Sequence, residues 1–271
     1  MSIIFRNSFQ RAFGTWPLRG EVLGQAVAAA VAAGYRHFDT AQAYGNEAEL
    51  GAALAASVLP RAALCITTKV PPGNFAADRF LASVEQSLRD LRIDAADLLL
   101  LHWPAPEGNA PALRLLETAL RRGLARNIGV SNFTAAMMRE ARALLDAPIA
   151  CNQVEFHPLL DQSRLLAAAT ETGIPLAAYS SVARGRVFEI PLFDELARDY
   201  GRTPGQIVLR WILQKGVAAV TMSTRPANIR ANFDVMDFTL SSVDMDRIGA
   251  LAALGVRVVK NGPTPGFPVW D

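Results

Sequence analysis

Eight short strand-like runs recur along the chain, at 11–16, 35–39, 65–70, 97–102, 127–130, 149–153, 175–179 and 218–222. Several are continuously apolar rather than alternating, which is the pattern of strands covered on both faces. Helical spacing fills the intervals. Phe80, Val84, Leu88 and Leu91 recur with a helical period after Asp78, which reads as an N-cap. Pro111 suits the first turn of the next helix, and Arg121, Arg122 and Gly123 suit its end. Thr203-Pro204 opens a further helix that stops before Gly216, and a helix over 161–172 stops at Gly173. Strands and helices alternating through short connections predict a parallel sheet. Eight such units close into an (α/β)8 TIM barrel, and no linker divides the chain, so residues 1–271 read as a single α/β domain. Two segments fall outside the eightfold count. Residues 1–9 are expected to form a short hairpin turning at Asn7-Ser8 and covering the barrel floor. Residues 262–271, rich in Pro and Gly, are expected to form a short C-terminal loop reaching over the mouth.

At 271 residues, 51% of them hydrophobic, the chain is long enough for one such barrel, which typically needs about 250 residues. The formal net charge is only +2 and is spread along the chain, unlike a nucleic-acid groove or a polybasic membrane surface. Cys65 and Cys151 lie in apolar runs without CxxC spacing and read as reduced, buried thiols. No N-terminal stretch combines basic residues, an apolar core and a cleavage site, and no apolar run reaches about 18 residues. A soluble, cytoplasmic, monomeric protein is expected, with a small-molecule ligand, no metal, and neither nucleic acid nor membrane as partner. No GxGxxG follows a strand, which argues against a doubly wound dinucleotide-binding domain but not against a nucleotide cofactor.

Reactive polar residues gather at the C-terminal ends of the apolar runs, where barrels of this kind carry their chemistry. Asp39 ends the second run, Tyr44 follows five residues on, Lys69 stands near the end of the third, and His102 ends the fourth. A tyrosine can protonate a carbonyl oxygen as hydride arrives, but its reference pKa near 10 is high for work at neutral pH. A nearby lysine cation would lower it, an aspartate would orient that cation, and a histidine could hydrogen-bond the carbonyl. Each residue also has a structural reading. Asp39 could cap the helix that begins near Asn46, Tyr44 could pack as a loop aromatic, and His102 could be a paired core residue. Lys69 resists such a reading. The chain holds three lysines against twenty-four arginines, so an amine ending an apolar strand points to a need for that group in particular.

Residues 34–47 read GYRHFDTAQAYGNE, which closely resembles the signature of the aldo-keto reductase family. Thr68-Lys69, Leu101-His102-Trp103-Pro104, Gly129-Val130-Ser131-Asn132-Phe133 and Asn152-Gln153-Val154-Glu155 extend the resemblance over nearly the whole chain. It is nearest to bacterial members that reduce small aldehydes and diketo-sugar acids. The resemblance implies an (α/β)8 barrel that reduces aldehydes or ketones to alcohols by hydride transfer from NADP(H), bound extended across its top. It assigns Tyr44 as proton donor, supported by Asp39, Lys69 and His102. Ser131, Asn132 and Gln153 match positions that hold the nicotinamide carboxamide, and Tyr179 matches the aromatic stacked on its ring. Gly14, Thr15, Asp39, Ser180, Val182, Met222, Ser223, Thr224, Asn228 and Asn232 complete the expected cofactor contacts. Trp16 and Trp103 match walls of the substrate pocket, with Tyr44 and His102 inside it and Trp270 reaching in from the tail.

One region departs from the family pattern. NADPH-preferring relatives carry Lys-Ser after the eighth strand and an Arg a few residues on, around the 2′-phosphate. This chain has Met222-Ser223 and Asn228 there, and Ala231 replaces an adenine-contacting Glu, while Asn232 is retained. Charge-assisted hydrogen bonds are worth about 1.5–3 kcal/mol each. Their loss either admits NAD(H) as well, or is offset by Arg225 or Arg230. In the loop 180–190, Arg184 suits a pyrophosphate contact. Two rival readings stand beside the reductase: a cofactor-binding redox-sensing or interaction subunit with little turnover, and an (α/β)8 aldolase with Lys69 as its Schiff-base amine.

Overall fold

The computed structural model describes residues 1–259 and 267–270, and its eight parallel strands close into a barrel. The strands are β1 (Arg11–Gly14), β2 (His37–Asp39), β3 (Cys65–Val70), β4 (Leu98–Leu101), β5 (Ile128–Ser131), β6 (Ile149–Glu155), β7 (Leu176–Tyr179) and β8 (Ala218–Thr221). They pair in sequence order, and β1 meets β8 through Arg11↔Ala219 and Phe13↔Thr221. Outside them run α1 (Gly20–Ala33), α2 (Glu47–Ala55), α3 (Ala77–Leu91), α4 (Ala110–Arg121), α5 (Ala135–Leu144) and α6 (Ser163–Thr172). A helix pair, α7 (Pro191–Tyr200) and α8 (Pro204–Gln214), separates β7 from β8, and α9 (Pro226–Phe233) and α10 (Ser242–Gly249) follow the last strand.

Every residue of β3, β4, β5 and β6 is buried, which is why β4 is an unbroken apolar run and why the polar residues of β3 and β6 do not alternate with exposed positions. Leu99, Leu101, Ile128 and Val130 face outward under Phe80, Leu113, Leu116 and Met138 of the helices. Leu98, Leu100, Cys65, Cys151 and Ala177 fill the lower interior. Both cysteines are free, and burial pushes the Cys151 thiol up to about 12. Thr203 caps α8 in a capping box with Gln206, Pro111 stands in the first turn of α4, and Gly123, Gly173 and Gly216 follow helix ends with positive φ. Asp78 is not a cap. The helix α3 already starts at Ala77, and Asp78 lies in its first turn, where its charge still faces the positive helix end.

The N-terminal segment covers the floor, but not as a hairpin. Ile3–Phe5 forms a single 3-10 turn, Ser2 Oγ donates to Ala150 O at 2.5 Å, and Ile3 and Ile4 are buried against the floor residues. A closed barrel offers no strand edge to pair with, and two arms of a few residues cannot sustain a ladder alone. Burying two isoleucines is the stabilisation open to so short a segment. At the other end, 260–266 and 271 lie outside the described residues, so the expected C-terminal loop is seen only over 267–270, which has no helix or strand.

The register between β5 and β6 shifts between Ile128 and Val130. Gly129 stands at that point. A Cβ there would lie 2.7 Å from Leu100 Cδ2 and 2.8 Å from Cys151 O. The close approach is part of how β5 delivers Ser131 and Asn132 to the barrel mouth. Gly129→Ala should lower stability by about 1–3 kcal/mol, as overpacking generally does. A urea titration reads this, and an unchanged midpoint would contradict the packing described.

Candidate active site

The ends of β2, β3 and β4 bring four polar side chains together. Lys69 pairs in register with Leu100, an interior residue, and its side chain is fully buried. Its Nζ donates to Asp39 Oδ1 at 2.5 Å and to Thr40 O at 2.9 Å. Gln153 Nε2 reaches across from β6 and donates to Asp39 Oδ2 at 2.7 Å. Both carboxylate oxygens are therefore engaged, and Asp39 caps no helix. Tyr44 ends the 3-10 turn Gln42–Tyr44 that follows β2. Lys69 Nζ stands 5.2 Å from the centre of its ring, close enough for the ammonium charge to act on the phenol. His102 meets Tyr44 edge-on, with ring centroids 5.6 Å apart.

Desolvation is the largest influence on all three protonation equilibria, with different results. Burial disfavours the Lys69 cation, but Asp39 and Tyr44 together outweigh it and hold the amine above the ordinary lysine value. The ammonium is therefore permanent. Burial pushes the Tyr44 phenol up, and Lys69 opposes this without reversing it. The expectation of a phenol more acidic than free tyrosine is corrected: the enclosed site raises it, and the ammonium offsets part of the rise. Burial, with Lys69 second, drives His102 down to about 3, so its ring is neutral at physiological pH. Its Nδ1 is buried with no hydrogen-bond partner among the described residues. An orphaned N–H costs more than an orphaned lone pair, so we assign the proton to Nε2.

The strands β5, β6 and β7 build the opposite wall. Ser131 Oγ donates to Gln153 O at 2.7 Å, and Asn132 Nδ2 donates to Ser131 Oγ at 3.2 Å and to His102 O at 2.9 Å. Tyr179 OH donates to Asn132 Oδ1 at 2.6 Å. Asn132 adopts a φ of 63°, a conformation that asparagine tolerates better than most residues. An amide ligand needs a donor and an acceptor. Ser131, Asn132 and Gln153 supply both beside the Tyr179 ring, so the donor set fits the nicotinamide end of a dinucleotide.

A cavity of about 330 Å³ joins the two walls. Of the residues expected from the sequence, Gly14, Thr15, Trp16, Asp39, Tyr44, His102, Trp103, Ser131, Asn132, Gln153, Tyr179, Ser180, Val182, Arg184, Met222 and Asn232 line it. The Arg184 guanidinium lies 5.7 Å from the centre of the Trp16 ring, linking the loop after β7 to the one after β1. Lys69 does not line the cavity, but Asp39 and Tyr44 beside it do. Ser223, Thr224 and Asn228 stand outside the lining, on the β8–α9 connection and the exposed side of α9.

Trp270 is a correction. Its ring covers Arg257, 4.0 Å from the guanidinium, and lines a separate cavity with Gln162 and Arg257. The cation draws the indole away, and Phe267 takes the place against Trp103, with ring centroids 4.8 Å apart. Sequence reasoning missed Ser181, Val220, Thr221 and Val259, all of which line the cavity. The Ser180-Ser181 pair and the end of β8 offered a local signal for the first three. Val259 offered none, since only tertiary contact brings it there.

Residues 12–253 match the Aldo/keto reductase family, and the chain belongs to that family. It is an NAD(P)H-dependent oxidoreductase of a carbonyl-reducing family that uses NADP(H). Methylglyoxal reductase DkgB of Yersinia pestis is 36% identical over 262 residues, covering 95% of this chain and 97% of that protein. An aldo-keto reductase of Mycolicibacterium smegmatis is 38% identical over 258 residues, covering 94% and 92%. Among solved structures, a candidate 2,5-diketo-D-gluconic acid reductase B has a TM-score of 0.92 at 39% identity, covering 100% of this chain and 97% of that one. A Bombyx mori aldo-keto reductase in complex with NADP has a TM-score of 0.86 at 31% identity, covering 95% and 94%. No helix among the described residues is long and apolar enough to cross a membrane.

An NMR titration of the ring protons should find His102 neutral from about pH 5 to 8, unlike a free histidine. A midpoint near the ordinary value of 6.5 would contradict the burial found here.

Proposed function

We propose that the protein reduces small aldehydes or ketones to alcohols, with Tyr44 as the proton donor. The observation that carries this reading is the buried Lys69 ammonium, held by Asp39 at 2.5 Å and lying 5.2 Å from the centre of the Tyr44 ring at the base of the cavity. When bound, the nicotinamide supplies the hydride. Ser131, Asn132 and Gln153 would hold its carboxamide, and Tyr179 would flank its ring. As charge develops on the substrate oxygen, the neutral His102 donates to it from Nε2 and the Tyr44 hydroxyl releases its proton there. Lys69 stabilises the phenolate that remains, and Asp39 keeps Lys69 charged. Trp16 and Trp103 keep the oxygen in an apolar surrounding, where each of these interactions is stronger than in water.

Lys69 also weighs against the aldolase reading. A Schiff-base amine must be neutral and reachable, whereas this one is charged, doubly hydrogen-bonded and walled off from the cavity. A sensing subunit would need the cofactor wall but not a complete proton-transfer set. The substrate class follows from size and access. The cavity is modest in volume and Trp16 at its rim is 52% exposed, which suits small or polar carbonyls. Methylglyoxal and diketo-sugar acids, after which two of the relatives are named, are of that class.

Tyr44→Phe should lower kcat for methylglyoxal by about 10²–10⁴-fold, the usual worth of a general acid. The dissociation constant for NADPH, measured by fluorescence titration, should hold. Undiminished turnover would remove Tyr44 from the role.

We also infer that the preference for NADPH over NADH is relaxed. Met222 and Asn228, both exposed, stand where relatives place cations around the 2′-phosphate, while Arg225 and Arg230 are the exposed cations at hand on α9 and just before it. Two lost charge-assisted hydrogen bonds, at about 1.5–3 kcal/mol each, would bring the cofactors close. The ratio of kcat/KM values for NADPH and NADH should therefore stay well below about a thousandfold. A ratio above that would mean that Arg225 or Arg230 has taken over the phosphate.

A further inference from the structure

Glu155 is fully buried at the end of β6, in register with Tyr179, and it lies outside both the cavity lining and the hydrogen bonds of the proton-transfer set. A buried carboxylate is costly unless donors meet its charge. Three do so at close range. His157 Nε2 lies 2.9 Å from Oε1, the Val258 N–H donates to Oε1 at 2.7 Å, and the Val259 N–H donates to Oε2 at 3.0 Å. Arg257 Nη1 adds a longer ion pair at 3.8 Å. Two of the close donors are backbone amides 103 and 104 residues downstream. The Val256 N–H reinforces them by donating to Leu159 O at 2.8 Å. The dependence is mutual. Without residues 256–259 the carboxylate would be left charged and under-satisfied, and without the carboxylate two amides would lose their acceptor.

This tie reaches the cavity. Val259 lines it, while Glu155 does not. Gln153, two residues earlier and on the same face of β6, holds Asp39. One strand face therefore carries both the support of the proton-transfer set and the anchor of a distant wall residue. We propose that Glu155 is a positioning residue: its two backbone hydrogen bonds set the place of Val259 in the cavity wall, and thereby the affinity for the carbonyl substrate. The proposal rests on the carbonyl-reductase reading and deepens it. Glu155 lies outside the cavity lining and the Lys69–Asp39–Tyr44 contacts, so an exchange that keeps its shape beside Tyr179 acts on substrate fit rather than on proton delivery.

Glu155→Gln keeps the shape and leaves one acceptor oxygen for two amides. It should raise KM for methylglyoxal about tenfold, lower kcat less than about threefold and change the NADPH dissociation constant less than about twofold. Hydrogen exchange at the Val258 and Val259 amides should accelerate. Should that variant not fold, Val258→Pro deletes one of the donors, leaves the carboxylate and the Val259 side chain in place, and must give the same rise in KM. A KM within about twofold of the parent in whichever variant folds, with parent turnover intact, overturns the proposal, as does a rise in the NADPH dissociation constant that matches the rise in KM. Failure of the functional reading looks different: the parent protein itself reduces no carbonyl. Amide exchange then decides alone, since unchanged protection at Val258 and Val259 in Glu155→Gln overturns the anchor.

Discussion

A lysine ammonium with no contact with solvent sits at the top of this barrel, and its charge survives because Asp39 lies 2.5 Å away. Burying either ion alone would cost several kcal/mol, and the pair is tolerable only when its remaining hydrogen-bonding capacity is met. The fold meets it from three directions. Thr40 O takes a second ammonium proton, Gln153 takes the second carboxylate oxygen, and Tyr44 approaches the ammonium from the turn after β2. Gln153 is 114 residues from Asp39, so only a sheet that has closed on itself can place both beside one buried charge. Barrel closure and the state of the ion pair are in that sense one constraint.

The same enclosure sets the character of the other groups. Removing water raises the Tyr44 phenol, and it drives His102 down to about 3. A permanent cation, a neutral imidazole and a protonated phenol then share one corner of a cavity of about 330 Å³. None of the three holds that state because of its residue type alone. The backbone around the mouth is unusual as well. Asn132, Ser180, Ala183 and Arg184 all have positive φ at the exits of β5 and β7. Unfavoured conformations of this kind persist where rigid surroundings hold them. Here the buried strands are those surroundings.

Much of this was legible along the chain, for definable reasons. The staves were readable because strands buried on both faces lose all polar alternation, and β3 was bounded correctly at both ends. Asp39, Tyr44, Lys69 and His102 were readable because strand ends in such a barrel converge on one rim. Elsewhere local patterns misled. Asp78 had the look of a cap but lies one residue inside its helix. The first nine residues had the length of a hairpin but no edge to join, and Ile3 and Ile4 went into the floor. Trp270 had the bulk of a pocket wall, yet the Arg257 guanidinium holds it elsewhere.

Hydrophobic period and the identity of strand-end residues pointed, without any coordinates, to the eightfold architecture and the four-residue cluster, while the motifs at 34–47 and beyond carried the resemblance to the family. Those features are local: each follows from side chains within a few positions of one another, repeated around the chain. Three things waited for the tertiary structure. They are the upward displacement of Tyr44, the anchoring of Val258 and Val259 on Glu155, and the substitution of Phe267 for Trp270 beside Trp103. Each depends on desolvation or on partners far away in sequence. Neither the depth of a group below the surface nor the identity of its distant neighbour is written into any local stretch of the chain.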